Sequence, residues 1–430
     1  MPGYMSHCGN SPESRAYDNN TFFVMCHSSI IINNRVAWNS MNVSLRTVEH
    51  VPWKRGVRLL IRIDGDVTIK GKRIADDFRI EQAVPTIKEA LRHGAHVRII
   101  SHRGRPHGVR VASLTQRPVA AHLSKLLKRD IVFVKDPLSE ITLSTLDSSP
   151  HILFFENIRF WGGEEKNDTF FAKKLARWGD IYVNDAFANS HREHASMVAL
   201  ARMLPSYAGF HLEKEILNLS RMVTSPDHPF VAILGGAKLE TKIPLIKRFL
   251  TLTDHVLIGG AIANTLLAAQ GFSVGKSLVD KDIGNITDLL SHKKLHLPSD
   301  VVVTKNLSRV SGVHSCAVSD VASNEYIVDI GPDTVTFFSS IIKTSSMVVW
   351  NGPMGFAEVP SFANGTKHLA SSMRRLPAFK LIGGGDTVTL LHAYGALRGF
   401  SYVSTGGGAM LEFLAGAHMP AIDVLRGSLS

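Results

Sequence analysis

From residue 57 onward, short unbroken apolar runs alternate with amphipathic stretches, and this alternation limits the fold more than any other feature of the chain. The first runs are VRLLIRI (57–63), HVRIIS (96–101), IVFV (131–134), HILFFE (151–156) and DIYVN (180–184). Apolar runs of this length without polar alternation are what strands covered on both faces require. Between them lie helical patterns such as EQAVPTIKEALRHG, ending at Gly94, and DTFFAKKLARWG, ending at Gly179, each glycine suited to closing a helix. Unalternated runs separated by helical stretches imply a parallel, helix-covered sheet. A long helical stretch follows at 207–222 (YAGFHLEKEILNLSRM), and the pattern then restarts: PFVAILGG (229–236), HVLIGG (255–260), DVVVTK (300–305), MVVWNG (347–352), FKLIGGG (379–385) and FSYVSTGGG (400–408). The expected fold is therefore α/β, two parallel sheets with a helix joining them.

A chain of 430 residues that is 44% hydrophobic supports two or three domains. No apolar run reaches the roughly 18 residues of a membrane helix. The cysteines, Cys8, Cys26 and Cys316, form no CxxC pair, which fits a reducing cytosol rather than a disulfide scaffold. Residues 1–40 are rich in Ser, Asn, Tyr and Met and nearly free of charge. They lack the marks of a secretion signal or transit peptide and read as a disordered or spurious extension, with Met41 opening the folded region. The formal net charge is +11 and the pI about 9.5. Such a balance suits nucleic acid, membrane surfaces or acidic small molecules. The arginines, however, sit singly at turns instead of in a Lys/Arg block, which favours a small anionic ligand.

In open parallel sheets, ligands bind at the carboxyl ends of the strands. In the first half those ends are charged. Arg62 and Asp64 close the first strand, SHRGRP follows 96–101, ENIRF with Arg159 follows 151–156, and NDAFANSHREH with His191, Arg192 and His194 follows 180–184. Arg79 opens the next helix. Guanidinium forks pair bidentately with carboxylate and phosphate, so cations converging from separate loops suit a small molecule with several negative charges. In the second half the ends are glycine: LGGAK, IGGA, WNGPMG, IGGGD and STGGG. Glycine lets backbone amides approach phosphate, and a helix N-terminus adds its dipole. One such turn alone is ordinarily tight packing, a lone Arg is ordinarily solvated, and His191/His194 is ordinarily cap or surface. The segregation of the two sets carries the functional reading: phosphoryl transfer across a cleft between an anion site and a nucleotide site. GFSVGKS (271–277) is one residue short of a P-loop, and no GxGxxG opens the first βα turn, which argues against a dinucleotide dehydrogenase.

These motifs, in this order, resemble the phosphoglycerate kinase family from about Met41 to the C-terminus. RID (62–64) is similar to the family's Arg-Val-Asp, SHRGRP to Ser-His-Leu-Gly-Arg-Pro, and ENIRF to Glu-Asn-Leu-Arg-Tyr. NDAFANSHREHAS, LEKEI, ILGGAKLETK, IANTLLAAQG, DIGPDT, VWNGPMG, IGGGDT and STGGGA have counterparts there as well. The resemblance implies two Rossmann-like domains that close by a hinge: 41–206 for phosphoglycerate, 207–222 as the hinge helix, 223–410 for nucleotide, and 411–430 returning to the first domain. It implies a substrate site of Arg62, Asp64, Gly65, Asp66, Arg79, His102, Arg103, Gly104, Arg105, Arg159, His191 and Arg192. It implies a nucleotide site of Gly235, Gly236, Lys238, Lys242, Gly259, Asn351, Glu358, Gly384, Gly385, Asp386 and Thr387, with the Gly406–Gly408 turn offering further amides. Asp386 would hold Mg2+, Glu358 the ribose, and Arg79, Lys238, Gly384 and Gly385 the transferring group. The implied partners are 3-phosphoglycerate or 1,3-bisphosphoglycerate and ATP or ADP, with no membrane or nucleic-acid partner, in a cytoplasmic, glycolytic and gluconeogenic monomer.

The chain departs from the family pattern at four places. In RIDGDVT, Asp66 stands for an asparagine and Thr68 for a proline. A carboxylate facing an anionic substrate should weaken its binding. Arg103 stands for a leucine and adds a cation that could compensate. Gly355-Phe356-Ala357-Glu358 stands for Gly-Val-Phe-Glu, and ANS (188–190) precedes His191 in place of Gly-Thr-Ala. A second expectation is a catalytically impaired relative that binds nucleic acid or another polyanion, which predicts steeply salt-dependent binding.

Overall fold

The computed structural model describes residues 45–426 except 72, 282, 285 and 309–311; the expectation for residues 1–40 lies outside the described residues. Two six-stranded sheets organise the chain. The first runs Ile131–Val134, Ile152–Phe155, His96–Ile100, Arg58–Ile63, Ile181–Asp185, Ser206–Ala208 in spatial order, every neighbour parallel. The second runs Leu295–His296, His255–Ile258, Phe230–Leu234, Met347–Asn351, Phe379–Gly383, Tyr402–Val403, again parallel throughout.

The unbroken apolar runs follow from cover on both faces. Leu59, Ile61 and Ile63 face one way, packing with Ile80, Ile87, Val119 and Leu123 of helices Phe78–Arg92 and Arg117–Leu127. Leu60 faces the other way, into a second core with Phe155, Trp178 and Tyr182. In the second sheet, Val231, Ile233, Val348 and Trp350 pack against Phe338, Ile342 and Leu369 of helices Pro332–Lys343 and Asn364–Met373. Successive strand residues point to opposite faces, so both parities of each run must be apolar.

The run 300–305 departs from the expected sheet. Asp300–Thr304 is the middle strand of a separate antiparallel sheet, between His314–Ala317 and Tyr326–Ile330. Its hairpin partner HSCA is polar and largely exposed, so no apolar run announces it. The joining helix spans Phe210–Thr224; Tyr207 and Ala208 belong to the last strand of the first sheet, and Gly209 is the N-cap. The helix buries Leu212, Ile216, Leu219 and Met222, the spacing of one helical face.

A polar joint ties this helix to the STGGG turn. Glu215 accepts hydrogen bonds from the Ser404 hydroxyl (2.8 Å), the Thr405 amide (2.7 Å) and the Thr405 hydroxyl (3.0 Å). His211 Nε2 lies 2.8 Å from Thr405 Oγ1; since that hydroxyl donates to Glu215, the imidazole donates to it. Burial pushes the Glu215 carboxyl up to about 7 against these bonds, and pulls His211 down to about 3. A carboxyl raised in the folded state gives stability that is present below the unfolded value and lost as pH rises through 7. Glu215→Gln mimics the protonated carboxyl. The variant should match the parent near pH 5 and exceed it by on the order of 2–3 kcal/mol near pH 8. Denaturant melts across that range check this, and a margin independent of pH would refute it.

Other contacts bring the C-terminal residues to the first lobe. The rings of Phe187 and Phe413 meet edge to face, with centroids 6.2 Å apart. The Ala421 amide donates to Ser190 O at 3.2 Å, and Leu45 bridges Arg426.

Candidate active site

Four loops at the carboxyl end of the first sheet are laced together by their own polar atoms. The Gly104 amide donates to Asp66 Oδ1 at 3.0 Å. Arg79 Nη1 donates to Asp66 O at 3.0 Å and lies 3.5 Å from Asp64 Oδ2. Arg159 Nη1 donates to Gly104 O at 2.8 Å, and Arg62 Nη2 donates to His102 Nδ1 at 2.9 Å. Gly65 fits beneath this lacing because a Cβ there would lie 2.3 Å from Ser101 Oγ. The result is a cluster of arginines and histidines drawn from every strand end that the sequence marked as charged.

The members differ in exposure. Arg62, Asp64, His102 and Arg159 are buried, Arg79, Arg103, His191 and Arg192 are intermediate, and Arg105 is exposed. Arg103 spends its fork on Thr115 O (2.9 Å) and Ser113 O (2.6 Å). The Asp66 charge also acts on Arg103, while the Asp66 carboxylate is held by the Gly104 amide and lies 3.8 Å from His102 Nε2. Burial pulls Arg159 down to about 10, with Arg62 the next cause. Burial, then the neighbouring arginines, take His194 to about 3 and His191 to about 4, and hold His102 well below the usual imidazole range. At neutral pH the imidazoles are therefore uncharged, and the positive field comes from guanidinium groups. Crowded like charges of this kind are relieved by an anion.

The second sheet ends in a cavity of about 370 Å3, the size of a small-ligand site. Its lining includes the apolar side chains of Leu278, Leu307, Val328 and Phe356 with Tyr326, and also Gly236, Glu358 and Asp386. The five glycine turns divide into two kinds. Those at 235–236, 259–260 and 352–355 interlock. A Cβ on Gly235 would lie 2.0 Å from Pro353 O, one on Gly352 2.2 Å from Gly235 O, and one on Gly259 2.6 Å from Met354 Sδ. The amides of Gly235, Gly236 and Gly259 donate to Asn351 O, Pro353 O and Leu234 O, so these glycines let the strand ends pack against one another. Gly385, Gly407 and Gly408 instead have open space where a Cβ would stand, at the starts of helices Gly385–Ala393 and Gly408–Ala415. The first amides of a helix lack intrahelical acceptors, and there they can meet an anion.

Around that opening, Asn351 Nδ2 donates to Gly383 O at 3.0 Å, and the Gly352 amide donates to Thr387 Oγ1 at 2.9 Å; both side chains are buried. A Cβ on Gly384 would lie 2.7 Å from Asn351 Nδ2, and Gly384 has a φ of +101°, which together admit only glycine. Lys238 is exposed. Lys242 is buried, its ammonium donating to Gly235 O; burial pulls it down to about 8, with Asp386 pushing back.

Sequence reasoning missed Glu164 and Ser196. Glu164 is fully buried beneath the arginine cluster, where it accepts from the Ser196 hydroxyl (2.6 Å) and amide (2.9 Å). In GGEEKN it reads as half of a solvated acidic pair, and its partner stands 32 residues away. The available signal was the serine that ends the motif around His191.

Fixed cations on one sheet edge, and a nucleoside-sized slot ending in open helix amides on the other, define a two-lobed α/β phosphotransferase. The family model described as phosphoglycerate kinase matches residues 50–417. A phosphoglycerate kinase of Zymomonas mobilis is 38% identical over 396 residues, 89% of this chain and the whole of that protein. One from Thermomicrobium roseum is 41% identical over 377 residues, 86% of this chain and 96% of its own length. The solved phosphoglycerate kinase of Coxiella burnetii superposes with a TM-score of 0.77 at 37% identity, covering 89% of this chain and 98% of that one. The chain belongs to the phosphoglycerate kinase family. Neither the relatives nor the geometry favours a polyanion-binding protein.

Proposed function

We propose that the chain transfers a phosphoryl group reversibly between ATP and the carboxylate of 3-phosphoglycerate, giving ADP and 1,3-bisphosphoglycerate. The observation that carries this is the placement of a guanidinium cluster and a nucleoside-sized slot at the carboxyl ends of two sheets, on a chain of this family. Arg105, Arg159 and Arg192 take the phosphate end of the phosphoglycerate, and His102 and Arg79 lie toward its carboxylate. Leu307, Tyr326 and Phe356 hold the nucleoside, Glu358 the ribose, and Lys242, Lys238 and the 385–387 amides the phosphates. A carboxylate is already ionised, so its attack on the γ-phosphorus in line needs no general base. Catalysis is positioning plus neutralisation of charge on the transferred group, which falls to Arg79 and Lys238 with the helix amides.

The donors present fit a magnesium ion carried by the nucleotide. Magnesium takes one or two carboxylates and completes its shell with water and phosphate oxygen. Asp386 opens on the cavity, and among the described residues no group of three ligating side chains forms a cage. Asp386 would hold the ion, which supplies positive charge to the phosphate oxygens. The lobes are taken as 41–206 and 223–410 with the helix between them as hinge; closure would exclude water as a competing acceptor. In the cell we place the chain in the cytoplasm, as a monomer serving glycolysis and gluconeogenesis.

Asp66 offers a direct test of the substrate assignment. Its carboxylate is partly exposed beside His102 of the proposed substrate site, and its Oδ1 accepts the Gly104 amide. Asparagine keeps that acceptor and removes the charge. Asp66→Asn should lower the KM for 3-phosphoglycerate about three- to tenfold, with kcat nearly unchanged. Steady-state kinetics check this, and an unchanged or raised KM would place the substrate elsewhere.

A further inference from the structure

Beneath the acceptor site a chain of hydrogen bonds runs from a buried carboxylate to the one imidazole that sits between Arg62 and Asp66. Glu164, Ser196 and Arg62 are all fully buried, and His102 is nearly so. Ser196 Oγ donates to Glu164 Oε1 at 2.6 Å, and the Ser196 amide donates to Oε2 at 2.9 Å. Arg62 Nε donates to Ser196 Oγ at 3.1 Å, Nη1 donates to Ile63 O, and Nη2 donates to His102 Nδ1 at 2.9 Å.

The direction of every bond is set by chemistry. A guanidinium has only donors and does not lose its proton in proteins. Ser196 Oγ must therefore accept from Arg62, which leaves its own proton for Glu164. His102 Nδ1 must likewise accept, so the ring proton resides on Nε2. That atom points toward Asp66, 3.8 Å away, whose side chain is 41% exposed. A second proton on the ring would face Arg62, Arg79, Arg159 and His194.

We propose that Glu164 and Ser196 are positioning residues, which through Arg62 hold His102 as the neutral Nε2–H tautomer, so that the ring presents a hydrogen bond and not a charge to the bound phosphoglycerate. This rests on the substrate assignment above. Glu164 earns its burial in two ways. It orients the serine that orients the arginine, and although burial raises its carboxyl, Arg62, the Ser196 bonds and Arg159 all act to favour its charged form. Arg62 thereby serves the substrate through His102, with its own fork fully engaged inside the protein. The geometry also makes the tautomer a property of the empty site, established before any substrate arrives. Preorganised donors of this kind need no rearrangement at the moment of binding.

The test is a nitrogen-15 spectrum of the histidine-labelled full-length protein without substrate, assigned with a His102→Gln control, followed by kinetics. In the parent, His102 should show an unprotonated Nδ1 and a protonated Nε2 throughout neutral pH. In Ser196→Ala, the signature should broaden to mixed tautomers, and the KM for 3-phosphoglycerate should rise about tenfold while the KM for ATP stays within about twofold. Ser196→Thr, which keeps the hydroxyl, should restore both. If Ser196→Ala does not fold, Glu164→Gln takes its place, with the same direction and a smaller effect. A doubly protonated His102, or a proton on Nδ1 in the parent, would overturn the proposal. So would an unchanged tautomer and KM in a folded Ser196→Ala. Because the spectrum is read without substrate, a chain that failed to turn over 3-phosphoglycerate would refute the substrate assignment and leave the tautomer result standing.

Discussion

Arg79→Ala should lower kcat by about a thousandfold while moving the KM for nucleotide by less than about twofold. The side chain is placed for charge and not for structure. It stands in the first turn of helix Phe78–Arg92, and its side chain is 31% exposed. One fork nitrogen is pinned by Asp66 O and lies near Asp64 Oδ2, which aims the rest of the guanidinium away from the loop. Its other nitrogens have no partner among the described residues. A fork held at one end and unspent at the other can meet oxygens that gain charge only as the phosphoryl group moves. Loss of such a cation is felt in the transition state and much less in either ground state. The fold should tolerate the change within about 1 kcal/mol, as removal of a partly exposed side chain ordinarily does. A coupled turnover assay, with a denaturant melt beside it, checks both halves. A loss of less than tenfold would remove Arg79 from the chemistry.

Lys242→Met should weaken ADP binding by about a hundredfold and stabilise the empty protein at the same time. Lys242 is buried and donates to Gly235 O, and among the described residues Asp386 is the charge that acts to hold its proton. Its ammonium drops from 10.5 to about 8 because burial penalises the charged form. For a base depressed in the folded state, the penalty is fully present below the folded value and is relieved as pH rises from 8 toward 10.5. Near pH 7 the buried charge therefore costs the empty protein on the order of 3 kcal/mol. On the proposed nucleotide assignment, a bound polyphosphate would add counter-charge to that of Asp386 and convert that cost into affinity. Methionine fills similar volume without charge. The variant should melt higher than the parent at pH 7, with the margin closing above pH 8, and should bind ADP poorly in calorimetry. A variant that is less stable and binds normally would show that the lysine is a structural donor to Gly235.

Much of the fold was legible because burial on both faces leaves a plain mark. The strands at 58–63, 96–100, 131–134, 152–155 and 181–185 coincide with apolar runs within one residue at either end. Ser206–Ala208 left no such mark. It is three residues long, sits at the sheet edge and is followed, after Gly209, by helix Phe210–Thr224. Asp300–Thr304 is apolar enough to read as a strand, but the choice of sheet depends on a polar hairpin partner that reads as loop.

The active-site region was legible in kind and less so in detail. Arginines after strands could be recognised one at a time, yet only the fold shows that Arg62 points inward and Arg105 outward. Glycine carries the same ambiguity. Gly235 and Gly385 look alike in a sequence, but one admits no Cβ because a carbonyl oxygen presses on it, and the other faces open space. Arg103 was legible as a counterweight to Asp66, whose charge does act on it, but its two hydrogen bonds to the carbonyls of Thr115 and Ser113 were not. Glu164 was invisible because its burial depends on a serine distant in sequence.

The central claim is that the acceptor is a carboxylate and that ATP supplies the group. The most direct measurement mixes the full chain with magnesium, ATP and 3-phosphoglycerate, and draws off the acyl phosphate with a dehydrogenase that consumes NADH. The account predicts NADH loss that requires both substrates and matches ADP release one for one. ADP release without NADH loss would show water as the acceptor, and no release from a chain that still binds ADP would show that the arginine cluster serves some other ligand; either result would contradict the account.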